Sequence, residues 1–382
     1  MATYASSAME ADNLFESVPN FSEGRRADVI EALAGAADKA HVLDTDADPD
    51  HNRVVISIAA RPSELIEALM GSVRVAVDRI DLLRHEGAHP RVGAADVIPI
   101  VPLGSSTLAG AVELSRALGE RVWSELAVPV YFYGYGTSRR LADIRAARAR
   151  PDLGGPDLHP SAGATCIGVR DKLVAFNVML PAMSMTEARP LARSLRESDG
   201  GMPGVQSLVF ELPGGRVQLS MNLFRLSEAS PAAVIAELER RGVQIGEQQI
   251  VGLCPAAAAN VAAAGKLLEG RLAAAAARAG ARLCARIHDT EHTRLAARLE
   301  REGDDLARLG IDQTELLAGA ERAAALAPVL RAAQALDSEL ASILGVAARG
   351  LRDAISPQTR AGRAARLAEL ESRLTAIDLN PV

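Results

Sequence analysis

The sequence predicts an α+β fold, with two ferredoxin-like βαββαβ subdomains in tandem and a helical C-terminal region after them. Three observations predict it. The order strand, helix, strand, strand, helix, strand occurs near the start of the chain and again roughly 150 residues later. The stretch "VQSLVFELPGGRVQLSMNLF" sets two strand-like runs around Pro-Gly-Gly, which is a hairpin. From about residue 256 onward Ala, Arg and Leu dominate, with breaks near Gly310 and Pro357.

In the first copy, "FESV" is a short apolar strand ended by "PNFSEGR", and "RRADVIEALAGAADKA" has apolar residues at helical spacing. "HVLDTD" and "RVVISIAA" are strands on either side of the turn-rich "ADPDHN". "RPSELIEALMGSVRVAVDRID" is a helix started by Pro-Ser, and "DVIPIVPL" is a buried strand that closes the copy. A further helix, "TLAGAVELSRALGERVWSEL", and a strand, "PVYFYG", precede a basic segment from Arg139 to Arg150 and the loop "PDLGGPDLHPSAG". In the second copy, "KLVAFNVML" is a strand. "MSMTEARPLARSLRES" is a helix broken or started at Pro190. After the hairpin, "SPAAVIAELERRG" has Ser at its cap, Pro in its first turn and Gly at its end, and "EQQIVGL" closes the unit. The domain division that follows is 1–150, 151–285 and 286–382.

Composition narrows the function classes. At 382 residues the chain has room for two or three cores, and 48% hydrophobic with 24% charged residues is ordinary for a globular protein. A net charge of −6 argues against nucleic acid as the main partner. The N-terminal stretch carries Glu10 and Asp12 where a signal peptide would be apolar, and Lys266, Glu269 and Arg271 interrupt the longest Ala-rich run. Three widely spaced cysteines fit reduced thiols. A cytoplasmic protein that spans no membrane is expected.

Two constellations carry chemistry. "HEGAHPRVGAADVIPIVPL" places two of the chain's 7 histidines directly before a core strand. His89 precedes Pro90, which keeps it out of a regular helix, and a histidine on a rigid loop is suited to general acid–base work. Arg91 supplies a permanent cation for a carboxylate or phosphate. "LDTDADPDHNR" gathers Asp44, Asp46, Asp48, Asp50, His51, Asn52 and Arg53 between two strands. It lacks the spacing of a calcium loop, so it is either a solvated turn or an acidic patch able to orient a histidine. "VPNFSEG" offers N–H groups where a strand hands over to a helix, a place for an anion. "HDTEH", from His288 to His292, matches a zinc-peptidase pattern, but no third ligand is evident and no metal is expected.

Taken together, "VPNFSEGR", "DHNR", "HEGAHPRVGAADVIPIVP", "VPVYFYG", "PSAGATCIGVRDKLVAFNV", "QLSMNLF" and "QQIVGLCP" resemble the glutamate formimidoyltransferase family, over about residues 15–265. The resemblance implies folate-dependent transfer of a formimidoyl group between N-formimino-L-glutamate and tetrahydrofolate, a step of histidine degradation, with tetrahydrofolate as co-substrate. It implies His89 as the catalytic histidine, with Asp46 orienting it. It implies Arg91, Arg53 and Asn52 as holders of substrate carboxylates. The folate-contacting loop falls on Gly154, Gly155, Pro156, Asp157, Leu158, His159, Pro160, Ser161, Ala162 and Gly163. The family's members further imply a homodimer acting on small molecules. The sequence departs from the family in a shorter segment from Arg139 to Pro160 and in Ala162, where an aromatic often stands. Two other readings share these residues: a folate-dependent formyl or formimidoyl transferase for a different amine, and a non-catalytic folate-binding homologue.

Overall fold

In a computed structural model, residues 13–88, 90–146 and 150–379 are described. The chain is α+β and forms two compact units, residues 1–172 with 210–216, and residues 173–209 with 217–382.

The first unit opens with a strand in two pieces, β1 (Leu14–Ser17) and β2 (Asn20–Phe21), followed by α1 (Ala27–Gly35). The hairpin β3 (His41–Asp48) and β4 (Arg53–Ala60) leads to α2 (Pro62–Arg79) and β5 (Ala95–Leu103). Next come α3 (Leu108–Leu126), β6 (Val130–Gly134), the short α4 (Leu141–Arg145) and β7 (Thr165–Val169). These strands make one seven-stranded sheet. β3 pairs with β4, β4 with β1 and β2, and β1 and β2 with β5, all antiparallel. β7 then joins β5 and β6 joins β7, both parallel.

β5 lies inside this sheet although it contains Pro99, which has no N–H to donate. The register explains why. Ser17 faces Ile100 and Asn20 faces Val97, so Pro99 sits opposite the break between β1 and β2, where no ladder bond is required. The Ser17 hydroxyl instead donates to the Pro99 carbonyl at 2.7 Å.

Alternation sends Val54, Ile56, Ile58, Ile98, Ile100 and Ile167 to one face, where they are buried with Leu33, Leu65, Leu69, Leu114 and Leu118 of α1, α2 and α3. Each such side chain contributes about 1.5–3 kcal/mol on burial. The register therefore sends Arg53, Val55, Ser57 and their neighbours Asn20 and Val97 to the other face.

The second unit contains β8 (Val174–Met179), α5 (Met185–Leu195), β9 (Val205–Leu212), β10 (Arg216–Leu223), α6 (Pro231–Arg240) and β11 (Gln248–Val251), with sheet order β11-β8-β10-β9. Pro190 neither starts nor breaks α5. A capping box of Ser184 and Glu187 starts the helix, and Pro190 is carried inside its second turn. The second unit continues in α7 (Leu268–Ala285), α8 (Thr290–Ala307), α9 (Gln313–Ala332), α10 (Ser338–Asp353), α11 (Pro357–Gly362) and α12 (Ala364–Leu379). The expected breaks at Gly310 and Pro357 fall at the starts of α9 and α11, while those after Ala285 and Ala332 carry no Gly or Pro. Asp289, Asp312 and Asp337 cap α8, α9 and α10, an arrangement of about 1 kcal/mol each. α7 packs on α8 and α10, and its Ala273, Ala274, Ala276 and Ala277 are all buried. Among the described residues no helix is long and apolar enough to cross a membrane.

Candidate active site

The site grows from the turn between β3 and β4. Asp44, Asp46 and Asp48 all lie on β3, so the turn itself is only Pro49 to Asn52. Asp48 shapes it, since its Oδ1 accepts from the N–H groups of Asp50 at 2.8 Å and His51 at 2.9 Å. Asn52 closes it with φ +48°, a left-handed conformation that asparagine tolerates better than most residues. Its side chain accepts from the Gly24 N–H at 2.9 Å and donates to the Glu86 carbonyl at 2.8 Å. Asn52 thus ties three separate segments together.

Arg53 follows, pointing to the face without the three helices. It is half-buried, and burial pushes its guanidinium down to about 10; Asp96 opposes that shift, and the nearby charges of Arg145 and Arg91 add to it. Its Nη2 donates to the Asn20 side chain. Asp96 is 3% exposed; it accepts from the Val92 N–H at 2.6 Å and from Arg145 Nη2 at 3.1 Å. Three guanidinium groups therefore gather around the Asp96 carboxylate. Ser22, His51, Asn52, Arg53, Arg91 and Asp96 line one small cleft. A site with this charge favours an anionic ligand.

Residues 85–88 and Arg91 are held against that turn. Arg91 donates to the carbonyls of His85 at 3.2 Å and Gly87 at 2.6 Å, and to His85 Nδ1. His85 Nε2 meets the Asn52 carbonyl at 3.1 Å. Burial and then Arg91 push the His85 ring below its ordinary value. Gly87 is required by close approach, because a Cβ there would collide with the His51 carbonyl oxygen. His89, the expected catalytic residue, lies outside the described residues.

Of the remaining expected residues, Asp46 is half-buried on β3 opposite Val55, two pairs along from Asp48 and Arg53. The loop Gly154 to Gly163 divides in two. Its start packs on α3, where Gly154 faces the Trp123 ring, and Asp157 and Leu158 are exposed. Its end is bound to the histidine loop: Ser161 O accepts from Leu82 N, and Ala162 O from Ala94 N, both at 2.9 Å. His159 and Gly163 exchange backbone bonds at 2.8 and 2.9 Å. Ala162 is 2% exposed, so position 162 offers no stacking surface to a ring. The "VPNFSEG" segment does not present open N–H groups. Ser22 N donates to Ala94 O, Gly24 N to Asn52, and the N–H groups of Arg25 and Arg26 to the Glu23 carboxylate. Burial works to raise that carboxyl, yet these bonds and Arg26 hold it below its ordinary range.

Sequence reasoning missed Asn20, His85, Asp96 and Arg145. Asp96 and His85 stand inside the quoted "HEGAHPRVGAADV", and Arg145 in the basic segment, but their partners lie 33 to 49 residues away. Cys166 is fully buried and its thiol is pushed up by burial, so it is no nucleophile. His288 precedes α8, and His292 Nδ1 pairs with Asp289 at 2.8 Å, so the two histidines do not share a helix face.

The comparisons with known proteins meet this geometry. The model of the formiminotransferase domain, N-terminal subdomain, matches residues 14–170. A glutamate formimidoyltransferase of Thermoplasma acidophilum is 39% identical over 64% of this chain and 88% of its own length. The chain belongs to the formiminotransferase family. A glutamate formimidoyltransferase of Streptococcus pyogenes is 33% identical over 64% of this chain and 90% of its own. The formimidoyltransferase-cyclodeaminase of Sus scrofa is 35% identical over 66% of this chain and only 52% of its own. In this family member the matched segment 14–170 holds Asn20, Asn52, Arg53, His85, Arg91, Asp96 and Arg145.

Proposed function

We propose that this chain transfers a formimidoyl group between N-formimino-L-glutamate and tetrahydrofolate, the latter as co-substrate, in the degradation of histidine. The observation that carries the reading is the half-buried Arg53 with Arg91 and Arg145 around the buried Asp96. Such a site suits a dicarboxylate, whose charges replace water with fixed guanidinium donors. In the reaction an amine nitrogen attacks the amidine carbon, and the carbon–nitrogen bond to glutamate breaks as that nitrogen gains a proton. His89 takes the proton from the incoming nitrogen and returns it to the departing one. Asp46 orients His89 in this scheme, and Arg53, Arg91 and Asn52 face the substrate carboxylates. Residues Gly154 to Gly163 line the folate path through their exposed first half.

On this reading the orders β5-β1/β2-β4-β3 and β11-β8-β10-β9 correspond to two ferredoxin-like subdomains. Residues 1–150 and 151–285 form the transferase and 286–382 a tail, joined to it through α7. A cytoplasmic homodimer is carried over from the resemblance alone, and light scattering of the purified protein tests the dimer.

The decisive experiment incubates the protein with tetrahydrofolate and a panel of formimino and formyl amino acids, and measures the free amino acid and the substituted folate. Transfer from formiminoglutamate is expected. Transfer of formyl alone, or of neither group, overturns the reading.

A further inference from the structure

His85 has two neighbours that leave it a single protonation state. A carbonyl oxygen only accepts, so the ring nitrogen facing Asn52 O at 3.1 Å, Nε2, carries the hydrogen. A guanidinium only donates, so Nδ1, which faces Arg91, carries none. An imidazolium would set an N–H against the Arg91 N–H groups. The charges around the ring agree, with Arg91 and Arg25 disfavouring a proton there. Glu23 favours one, but its carboxylate is already engaged by Arg26 at 2.5 Å.

Both ends of this strut are anchored. Asn52 is fixed from Gly24 and Glu86, and Arg91 spans the carbonyls of His85 and Gly87. We propose that His85 is a positioning residue whose neutral ring locks Arg91 to the Asn52 turn, and so fixes the residues on either side of position 89 in the sequence, which the proposed function makes catalytic. This proposal rests on the transferase reading for its kinetic consequence, but not for its tautomer.

The test compares His85→Phe with His85→Gln, whose amide can accept from Arg91 and donate to Asn52 O as the ring does. In His85→Phe, kcat should fall about 10- to 100-fold, as for a reacting group displaced by a fraction of an ångström to 1 Å. KM for tetrahydrofolate should stay within about threefold, while that for the donor, whose carboxylate Arg91 faces in the proposed function, should rise alongside the fall in kcat. His85→Gln should recover most of the loss. A raised KM with unchanged kcat would make His85 a substrate contact and overturn the proposal; so would equal losses in the two variants, or no loss in either. Nitrogen-15 spectra of labelled histidine provide a second readout that needs no activity and no foldable Phe variant. At pH 7 the signal lost in His85→Gln should be that of a neutral ring protonated at Nε2. A charged ring, or one protonated at Nδ1, overturns the proposal. If the wild-type protein transfers no formimidoyl group, the transferase reading falls, and these spectra alone decide the state of His85.

Discussion

The turn between β3 and β4 and the turn between β9 and β10 each close an antiparallel hairpin, one in the seven-stranded sheet and one in the four-stranded sheet, yet they are built differently. In the first, Asp48 bonds two backbone N–H groups and Asn52 reaches Gly24, Glu86 and His85. In the second, Pro213, Gly214 and Gly215 make the turn, both glycines have positive φ, and a side chain added to either would meet open space. The first turn is held by side-chain bonds to three segments, whereas the second is made by two glycines at positive φ, and its flanking Arg216 donates to Asp50 of the first at 2.7 Å. The difference teaches that a polar side-chain network, and not the strand order, distinguishes one hairpin turn from another.

The strongest way to sharpen the comparison is to remove the proposed catalytic histidine. His89→Ala should lower kcat by about two to four orders of magnitude with folate binding retained, as for loss of a general base. Unchanged turnover would leave His89 without a catalytic role. Next is Gly163→Val. Gly163 has φ +69°, and a Cβ there would collide with the Val92 carbonyl oxygen. A loss of about 2–4 kcal/mol in urea unfolding is expected from left-handed strain and displacement of the histidine loop. Retained stability with weakened folate binding would show instead that this end of the loop is an open ligand wall.

Asn52→Ala set against Gly214→Asn tests the two turns directly. The first leaves Gly24 N–H and Glu86 O without the Asn52 side chain and should cost about 1–3 kcal/mol. The second places a residue that tolerates positive φ in open space and should stay within about 1 kcal/mol. Equal costs would erase the distinction.

The smallest expected effect is on pH. In the native state His85 faces Arg91, Arg25, Glu23 and Asn52 O and is held below its ordinary 6.5. As pH falls through that value the unfolded chain takes up a proton that the native ring refuses, so stability declines from about pH 6.5 downward until the native ring titrates. Measured against His85→Gln, wild type should lose its relative advantage as pH falls below about 6.5. A constant difference would mean that His85 is not kept neutral.

Much of this architecture was legible along the chain because it is local. Alternation in "RVVISIAA", the Pro-Gly-Gly hairpin and the Ser-Pro start of α6 each announce themselves within a dozen residues. β7 did not, since "TCIGV" is buried at every position and follows a glycine-rich loop, so it shows no period. Pro190 misled because a capping box three residues long outweighs one absent N–H in a short helix. The site divided the same way. Arg53, Asn52 and Arg91 stood in motifs, whereas His85 acquires its meaning from a carbonyl 33 residues away, which no local pattern encodes.

α7 shows a last consequence. Its composition is the blandest in the chain, a run such as "AAAAARAGA" that looks free to drift. Its packing says otherwise: a methyl added at Gly270 would come within 2.6 Å of the Leu306 carbonyl oxygen, and one at Gly280 would collide with Leu330. Small side chains let the neighbouring backbones come close, and that closeness leaves no volume for replacements. Single-base changes from alanine toward valine, threonine or serine, and from glycine toward alanine, valine or serine, are therefore ones this helix resists. Low complexity here marks a region under strict size selection, and random mutagenesis should find it among the least permissive stretches of the molecule.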